Sequence, residues 1–187
     1  SARSFDPGVP VAYVASGSVY TDALSGAPVA AKTGGPMLLV TASAIPDPIA
    51  AELTRLKPRQ IVVLGGPASV GAGVEARLRD LAGAGGVARW QGADRFEASA
   101  SISRNSFAAG VDTAYVASGR VFADALSGAP VAGRDRNPLL LADTDRIPDA
   151  IATELRRLRP GRIVVLGGPA SIRSEEHTSE LQSRSVI

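Results

Sequence analysis

The chain has no cysteine among its 187 residues, so disulfides, thiolate metal sites and cysteine nucleophiles are excluded together. Histidine is almost as scarce. The single one, His177, falls in a C-terminal stretch unlike the rest, so the serines of the body, Ser16 and Ser25 among them, have no imidazole with which to build a Ser-His-Asp arrangement. No apolar run reaches the roughly 18 residues of a membrane-spanning helix, and the opening SARSFDPGVP has neither the basic head nor the apolar centre of a signal peptide. Lys32 and Lys57 are the only lysines, the remaining basic charge is arginine, and the formal net charge is +2. That excess is a mild bias toward anions, not the dense basic face of a nucleic-acid binder.

What the chain has in quantity is repetition. Sliding it by 102 positions aligns Val11 to Val70 with Thr113 to Ile172 without a gap, and about 38 of those 60 positions are identical. The phrase YVASGSVYTDALSGAPVA (Tyr13 to Ala30) returns as YVASGRVFADALSGAPVA (Tyr115 to Ala132). Two copies of one unit are present, and the chain is expected to start inside one unit and stop inside another. The last stretch, RSEEHTSELQSRSVI (Arg173 to Ile187), trades Ala, Gly and Val for Glu, Ser, Gln and Thr. It is either a solvated polar terminus or, as we read it, a non-native tail resembling the translation of a DNA sequencing adapter; residues 173–187 are set outside the fold on both readings.

Within a unit the apolar periodicity alternates. VAYVASG is a short strand-like run ending on glycine; DALSGAPVAAKTGG is small and helix-compatible; PMLLVT is a fully apolar strand. PDPIAAELTRLKP follows with Ile49, Leu53 and Leu56 on one helical face, Pro at its entry and Pro58 as its stop. QIVVLGG is a buried strand, VEARLRDLAG an amphipathic helix with Val74, Leu78 and Leu81 together, and VARWQG a last strand before the helical DRFEASASISRNSFAAG, where Phe96, Ala100, Ser103 and Phe107 share a stripe. Strand alternating with helix implies parallel strands joined by right-handed crossovers. The expected fold is α/β: two tandem repeats, each a small parallel sheet with helices on both faces in three layers. The glycine-rich AGAGG puts the boundary near Gly86, giving modules 1–86 and 87–172. The small residues of the repeated phrase let a helix lie close on its strand, which explains their recurrence without catalysis.

Few positions offer chemistry. VVLGGPAS (Val62 to Ser69, again Val164 to Ser171) puts glycines at the end of a strand, where open α/β sheets bind phosphates. Pro67 and Pro169, however, remove a backbone donor where a phosphate cradle would want one, and a tight turn is the simpler reading. Asp22 and Asp124, the acids of the repeated phrase, suit helix caps or ligand-facing carboxylates. Asp143 and Asp145 have Thr41 and Ser43 as counterparts, so no metal belongs to the common design; no cofactor is called for either. RWQGADRF (Arg89 to Phe96) is richer. Its arginines offer planar forks for carboxylate or phosphate, and Trp90 beside them offers a face for a sugar ring. Equally, Asp94 caps the following helix, Arg95 pairs with a neighbouring acid and Trp90 fills core.

Taken in order, YVASG…DALSGAPVA, PMLL, IPD…ELTRLKP, IVVLGGPASV and RWQGADRFEAS resemble the cell wall binding repeat 2 modules of Gram-positive surface proteins, over Ser1 to Ile172. The resemblance implies tandem modules of a three-layer Toprim-like or Rossmann-like fold, usually three in a pseudo-threefold unit. It also implies that they hold a secreted protein non-covalently to an anionic secondary wall polymer at the cell surface. The family's anchoring Pro-Ile-Leu-Leu segment falls on Pro36, Met37, Leu38 and Leu39, and again on Pro138, Leu139, Leu140 and Leu141. Its Arg-x-x-Gly-x-Asp-Arg-Tyr pattern falls on Arg89, Gly92, Asp94, Arg95 and Phe96, with Phe96 lacking the tyrosine hydroxyl. The leucines serve equally as the buried strand a parallel sheet needs. The implied partners are an anionic wall polymer and a third repeat or neighbouring module, with no nucleic acid and no membrane span. The alternative, a nucleotide- or phosphate-binding α/β enzyme domain, lacks its ingredients at the repeated positions.

Overall fold

The computed structural model describes residues 4–173; the adapter-like stretch 174–187, with His177, lies outside the described residues. The chain alternates as expected: β1 (Val11–Ser16), α1 (Tyr20–Thr33), β2 (Met37–Val40), α2 (Asp47–Leu56), β3 (Gln60–Leu64), α3 (Ala72–Leu81), β4 (Gly86–Trp90) and α4 (Arg95–Arg104), then β5 (Thr113–Ser118), α5 (Phe122–Arg134), β6 (Leu139–Ala142), α6 (Asp149–Leu158) and β7 (Arg162–Leu166). Two sheets result, ordered β2-β1-β3-β4 and β6-β5-β7, and every strand pair is parallel.

Strand alternation sorts each sheet into two faces. In the first, Ala12, Val14, Ile61 and Val63 pack with Leu53 and Leu56 of α2 and Val74 and Leu78 of α3. Tyr13, Ala15, Val62 and Leu64 turn instead into a cluster with Leu24 and Val29 of α1, and that cluster continues into the second repeat. Helices thus cover both faces, as a parallel sheet requires. The stops are local: α2 and α6 start on Pro46 and Pro148 and end at Lys57 and Arg159, both left-handed at φ 45°, where the next residue, Pro58 or Pro160, cannot continue the helix.

The repeated small residues have a packing reason. A Cβ built on Gly26 would lie 2.2 Å from Leu64 Cδ1 and 3.0 Å from Met37 Cε, and one on Gly128 would lie 2.0 Å from Leu166 Cδ1. Both helices therefore rest against their sheets with no room for a methyl. Between repeats, α1 packs along α5, where a Cβ on Gly133 would come within 2.8 Å of the Ala31 methyl.

Helix α4 leaves the first sheet and packs between α1 of the first repeat and β6 and α6 of the second. There the Ser99 hydroxyl oxygen meets the Ser25 hydroxyl at 3.0 Å and the Leu141 N–H at 3.1 Å, all three residues buried. Further along, Lys32 of α1 donates to the Ser106 carbonyl at 2.5 Å and sits 4.5 Å from the Phe107 ring centroid. The stripe predicted from sequence, Phe96, Ala100, Ser103 and Phe107, is buried throughout. The boundary expected near Gly86 falls at the start of a strand. Gly86 opens β4, which pairs with β3 over its whole length, so the first sheet runs on to Trp90. The glycine-rich loop before it is a crossover, with Gly83 and Gly85 bonded back to the carbonyls of Pro58 and Arg59.

Substituting Gly26→Val should destabilise the chain by about 1–3 kcal/mol through overpacking against Leu64, measured by urea unfolding; unchanged stability would refute the close contact. Ser99→Ala removes the partner of the buried Leu141 N–H and is expected to cost about 1–3 kcal/mol in the same measurement.

Candidate functional site

At the carboxyl ends of β1, β3 and β4 lies a cavity of about 210 Å³ whose lining includes Val19, Asp22, Gly66, Ser69, Gly92 and Arg95. The chain leaves β1 toward β2 on one side and β3 toward β4 on the other, and such a switch point is where open α/β sheets bind ligands.

Asp22 lies on its inner wall. It was expected to cap its helix or face a ligand, and the cap is corrected: Val19 is the N-cap residue, and no side chain caps there. The strand-to-helix turn is closed by Ser16, whose Oγ accepts from the N–H groups of Ser18 and Val19, both at 3.2 Å. That hydroxyl takes the job a cap would do and leaves Asp22, inside the first turn, free to point at the β3–α3 loop. A Cβ on Gly65, whose φ is +95°, would lie 2.1 Å from Asp22 Oδ2, so only glycine fits over the carboxylate there. Burial pushes the Asp22 carboxyl above its ordinary value of 3.8, with a Ser69 hydrogen bond and the Arg95 charge pulling it back. Asp124 repeats the arrangement against Gly167 at φ +107°; it too is no cap, since Val121 holds that position and Ser118 closes the turn. Among the described residues its Oδ2 is buried with no hydrogen-bond partner.

The RWQGADRF segment divides into distinct roles. Arg89 turns inward: Nε and Nη2 bind Glu75 Oε2 at 2.9 and 2.6 Å, Nη1 donates to the Gly65 carbonyl at 2.7 Å and Nη2 to that of Val70 at 2.8 Å. With its side chain 11% exposed, it clamps the β3–α3 loop and has no open fork for an incoming anion, contrary to the expectation. Asp94 caps α4, its Oδ1 accepting from Phe96 N and Glu97 N at 2.8 Å each, while Glu97 reaches back to Ala93 N at 2.9 Å. This reciprocal bonding is a close relative of the capping box. Trp90 is half-buried and tilted against Tyr13, ring centroids 6.0 Å apart, so of the two readings left open for it the ring packs against the core. Arg95 is exposed and donates Nη1 to the Gly119 carbonyl at 2.7 Å. It bridges the repeats, lining the first repeat's cavity while bonded to the second.

The two apolar segments also part company. Pro36 and Leu38 are buried, Met37 half-buried and Leu39 47% exposed, whereas Pro138, Leu139, Leu140 and Leu141 are all buried. The difference is α4, which covers the edge of β6 and not that of β2. Direct contact with a ligand is closed to the second copy and open in the first only at Leu39. Asp143 is held by Arg120, and Asp145 lies 3.2 Å from Arg173, so the two acids face different arginines. Ser69 and Ser16 were missed as site builders, although both recur at the same offset in each repeat.

Three consequences can be measured. Because the folded state holds the Asp22 proton more tightly than the unfolded chain, this group favours folding at low pH and loses that contribution as pH rises through its raised pKa. Wild type should therefore gain stability relative to Asp22→Asn as pH is lowered from 7 toward 4, and a pH-independent difference in urea midpoints would count against the buried carboxylate. Asp143 runs the other way: Arg120 lowers its pKa to about 2. Its contribution is present above the ordinary value and is lost as pH falls toward 2, so Asp143→Asn should matter at pH 6 and cease to matter at the acid end. Arg89→Ala leaves Glu75 and two loop carbonyls without their partner and is expected to cost on the order of 3 kcal/mol, read from the shift in urea midpoint.

The sequence profile of the cell wall binding domain 2 (CWB2) family matches residues 2–75 and 89–177. The amidase enhancer of Bacillus subtilis is 28% identical over 169 residues, 90% of this chain and 22% of that protein. The N-acetylmuramoyl-L-alanine amidase LytC of the same species is 24% identical over 86% of this chain and 32% of its own. Cwp6 and Cwp8 from Clostridium difficile superpose with TM-scores of 0.81 and 0.83 at 27% and 26% identity, covering 92% and 96% of this chain and 28% and 30% of theirs. The chain thus spans about a third or less of each of these relatives. Two matched repeats, with the sheet order and loops described above, make this chain a member of the cell wall binding domain 2 family.

Proposed function

We propose that the chain is a non-catalytic anchoring module that holds a secreted protein to an anionic secondary polymer of the Gram-positive wall. The observation that carries this reading is the family match across both repeats. The relatives named for amidase activity or its enhancement are several times longer than this chain, which leaves room in such proteins for a separate working domain. At the site, Arg95 is the cation that lines the switch-point cavity and spends one donor on Gly119, so a phosphate or carboxylate of the polymer meets its guanidinium at the mouth. Asp94 orients α4 and thereby Arg95; Arg89 shapes the loop behind. Among the apolar segment residues Leu39 alone has an exposed face to offer, and the others act through the sheet. Many weak contacts along one polymer add by effective concentration, which is what duplication supplies.

A nucleotide-binding enzyme is the weaker reading for a specific reason. The glycine loop that a phosphate would occupy is filled from below by Asp22, and its carboxylate would repel the phosphate.

A third repeat is part of the proposal. Leu24 and Val29 of α1 are 7% and 0% exposed, while their counterparts on α5, Leu126 and Val131, are 55% and 38% exposed. A further unit seated on α5 as the second repeat sits on α1 would cover them and bring an arginine toward the unpartnered Asp124.

The test is retention of residues 4–173 on purified Gram-positive walls before and after hydrofluoric acid removes phosphodiester-linked polymers. Retention should fall on stripped walls, and Arg95→Ala should weaken it on intact walls while leaving the thermal midpoint near wild type. Equal retention on stripped walls would sink the anionic-polymer reading, and a large stability loss with normal retention of the folded fraction would remove Arg95 from the site.

A further inference from the structure

Duplication provides an internal comparison between a residue that has a neighbouring repeat and the same residue without one. Leu24 and Val29 are covered by that neighbour, and Leu126 and Val131 are not. Two other equivalent pairs do not follow the neighbour. Val19 and Val121 are 40% and 42% exposed, and Tyr20 and Phe122 are 38% and 52% exposed. Tyr20 is already seated on the second repeat: its ring meets that of Phe122 at 5.5 Å between centroids with a 55° tilt, and its hydroxyl donates to the Arg120 carbonyl at 3.3 Å. Contact between repeats therefore leaves this ring more than a third exposed.

The chain has eight aromatic residues, and the other six are buried or half-buried. The two exposed ones occupy the same position in both repeats, at the first residues of α1 and α5. Val19, next to Tyr20, also lines the Asp22–Arg95 cavity. Tilted rings that do not stack on one another each leave a face open. That face carries the negative lobe of the ring quadrupole, which attracts the polarised C–H groups on the flat side of a pyranose. The rings together expose on the order of 200 Å², far below the roughly 800 Å² per partner of a stable protein interface and suited to one or two sugar rings.

We propose that Tyr20 and Phe122, flanked by Val19 and Val121, form a stacking platform for the pyranose rings of a wall glycan. An adjoining anionic group of the same polymer reaches Arg95. This assignment rests on the wall-binding reading above and deepens it: the anion supplies attraction, and the platform selects a polymer built of sugars. Because each repeat contributes one ring, the platform exists only where two repeats meet.

The experiment compares retention on intact purified Gram-positive walls for wild type and three variants: Tyr20→Ala with Phe122→Ala, Tyr20→Leu with Phe122→Leu, and Tyr20→Phe alone. Thermal midpoints and sedimentation are recorded for each. The alanine and leucine pairs should both lose about tenfold or more in affinity with unchanged midpoints, and Tyr20→Phe should bind like wild type. Full retention by the alanine pair overturns the platform. So does full retention by the leucine pair, which would mean an ordinary apolar contact, or a loss that tracks dissociation of a self-associated species. Wild type that fails to bind walls overturns both this inference and the wall-binding reading; wild type that binds equally with its alanine pair overturns this one only.

Discussion

Everything in this molecule depends on how closely α1 and α5 approach their sheets and each other. Gly26 and Gly128 lie where any side chain would strike a leucine of the strand below, and Gly133 lies where one would strike Ala31 of the opposing helix. The repeated phrase of Ala, Gly and Ser is thus a contact surface on two sides at once. It rests on β3 or β7 inward and along the neighbouring repeat outward. Ordinary branched residues at these positions would press into the core that runs from Tyr13 through Leu24 to Ala129 and Leu139.

The second organising element is electrostatic and smaller. Asp22 sits beneath the β3–α3 loop, held by Ser69 and facing the Arg95 charge, while Arg89 grips the same loop from β4 through two carbonyls and Glu75. A buried carboxylate below and a half-buried guanidinium to the side fix a loop that contains Pro67 and so has one donor fewer of its own. The cavity beside it is consequently preformed, with an arginine of one repeat at its mouth tied to the backbone of the next.

Strand and helix order, the α2 stop at Pro58 and the buried α4 stripe were legible in the sequence, because each rests on a pattern that a single element displays. The three-layer α/β architecture followed from alternation alone. What the sequence did not disclose is which element covers which edge. PMLL and PLLL look equivalent as segments, yet one leaves Leu39 half-exposed and the other is closed by α4, a relation between residues more than forty positions apart. Gly86 looked like a boundary because glycine-rich loops usually are; the loop before it is a crossover that returns to the same sheet. Asp22 resembled a cap because it opens a helix, and the serine four residues before the first helical turn had already done that work. Arg89 and Arg95 are alike by composition, and only their surroundings separate a clamp from an exposed cation. Tyr20 and Phe122 carried a signal, an aromatic at the same offset in both copies, but nothing in periodicity tells an exposed ring from a buried one.

Helix α4 begins after the last strand of one sheet and packs between α1 of the first repeat and β6 and α6 of the second, so the span that recurs in sequence differs from the span that is self-sufficient in space. Cutting at Gly86 strips a strand from the first sheet; cutting after Trp90 strands the helix with a neighbour it no longer follows. Such an array can be lengthened by whole copies, each supplying the lid for the next, but it cannot be dismantled into single beads without baring greasy flanks. Recombination that shuffles anchoring segments between surface proteins would on this basis be confined to transfers of the interlocked set.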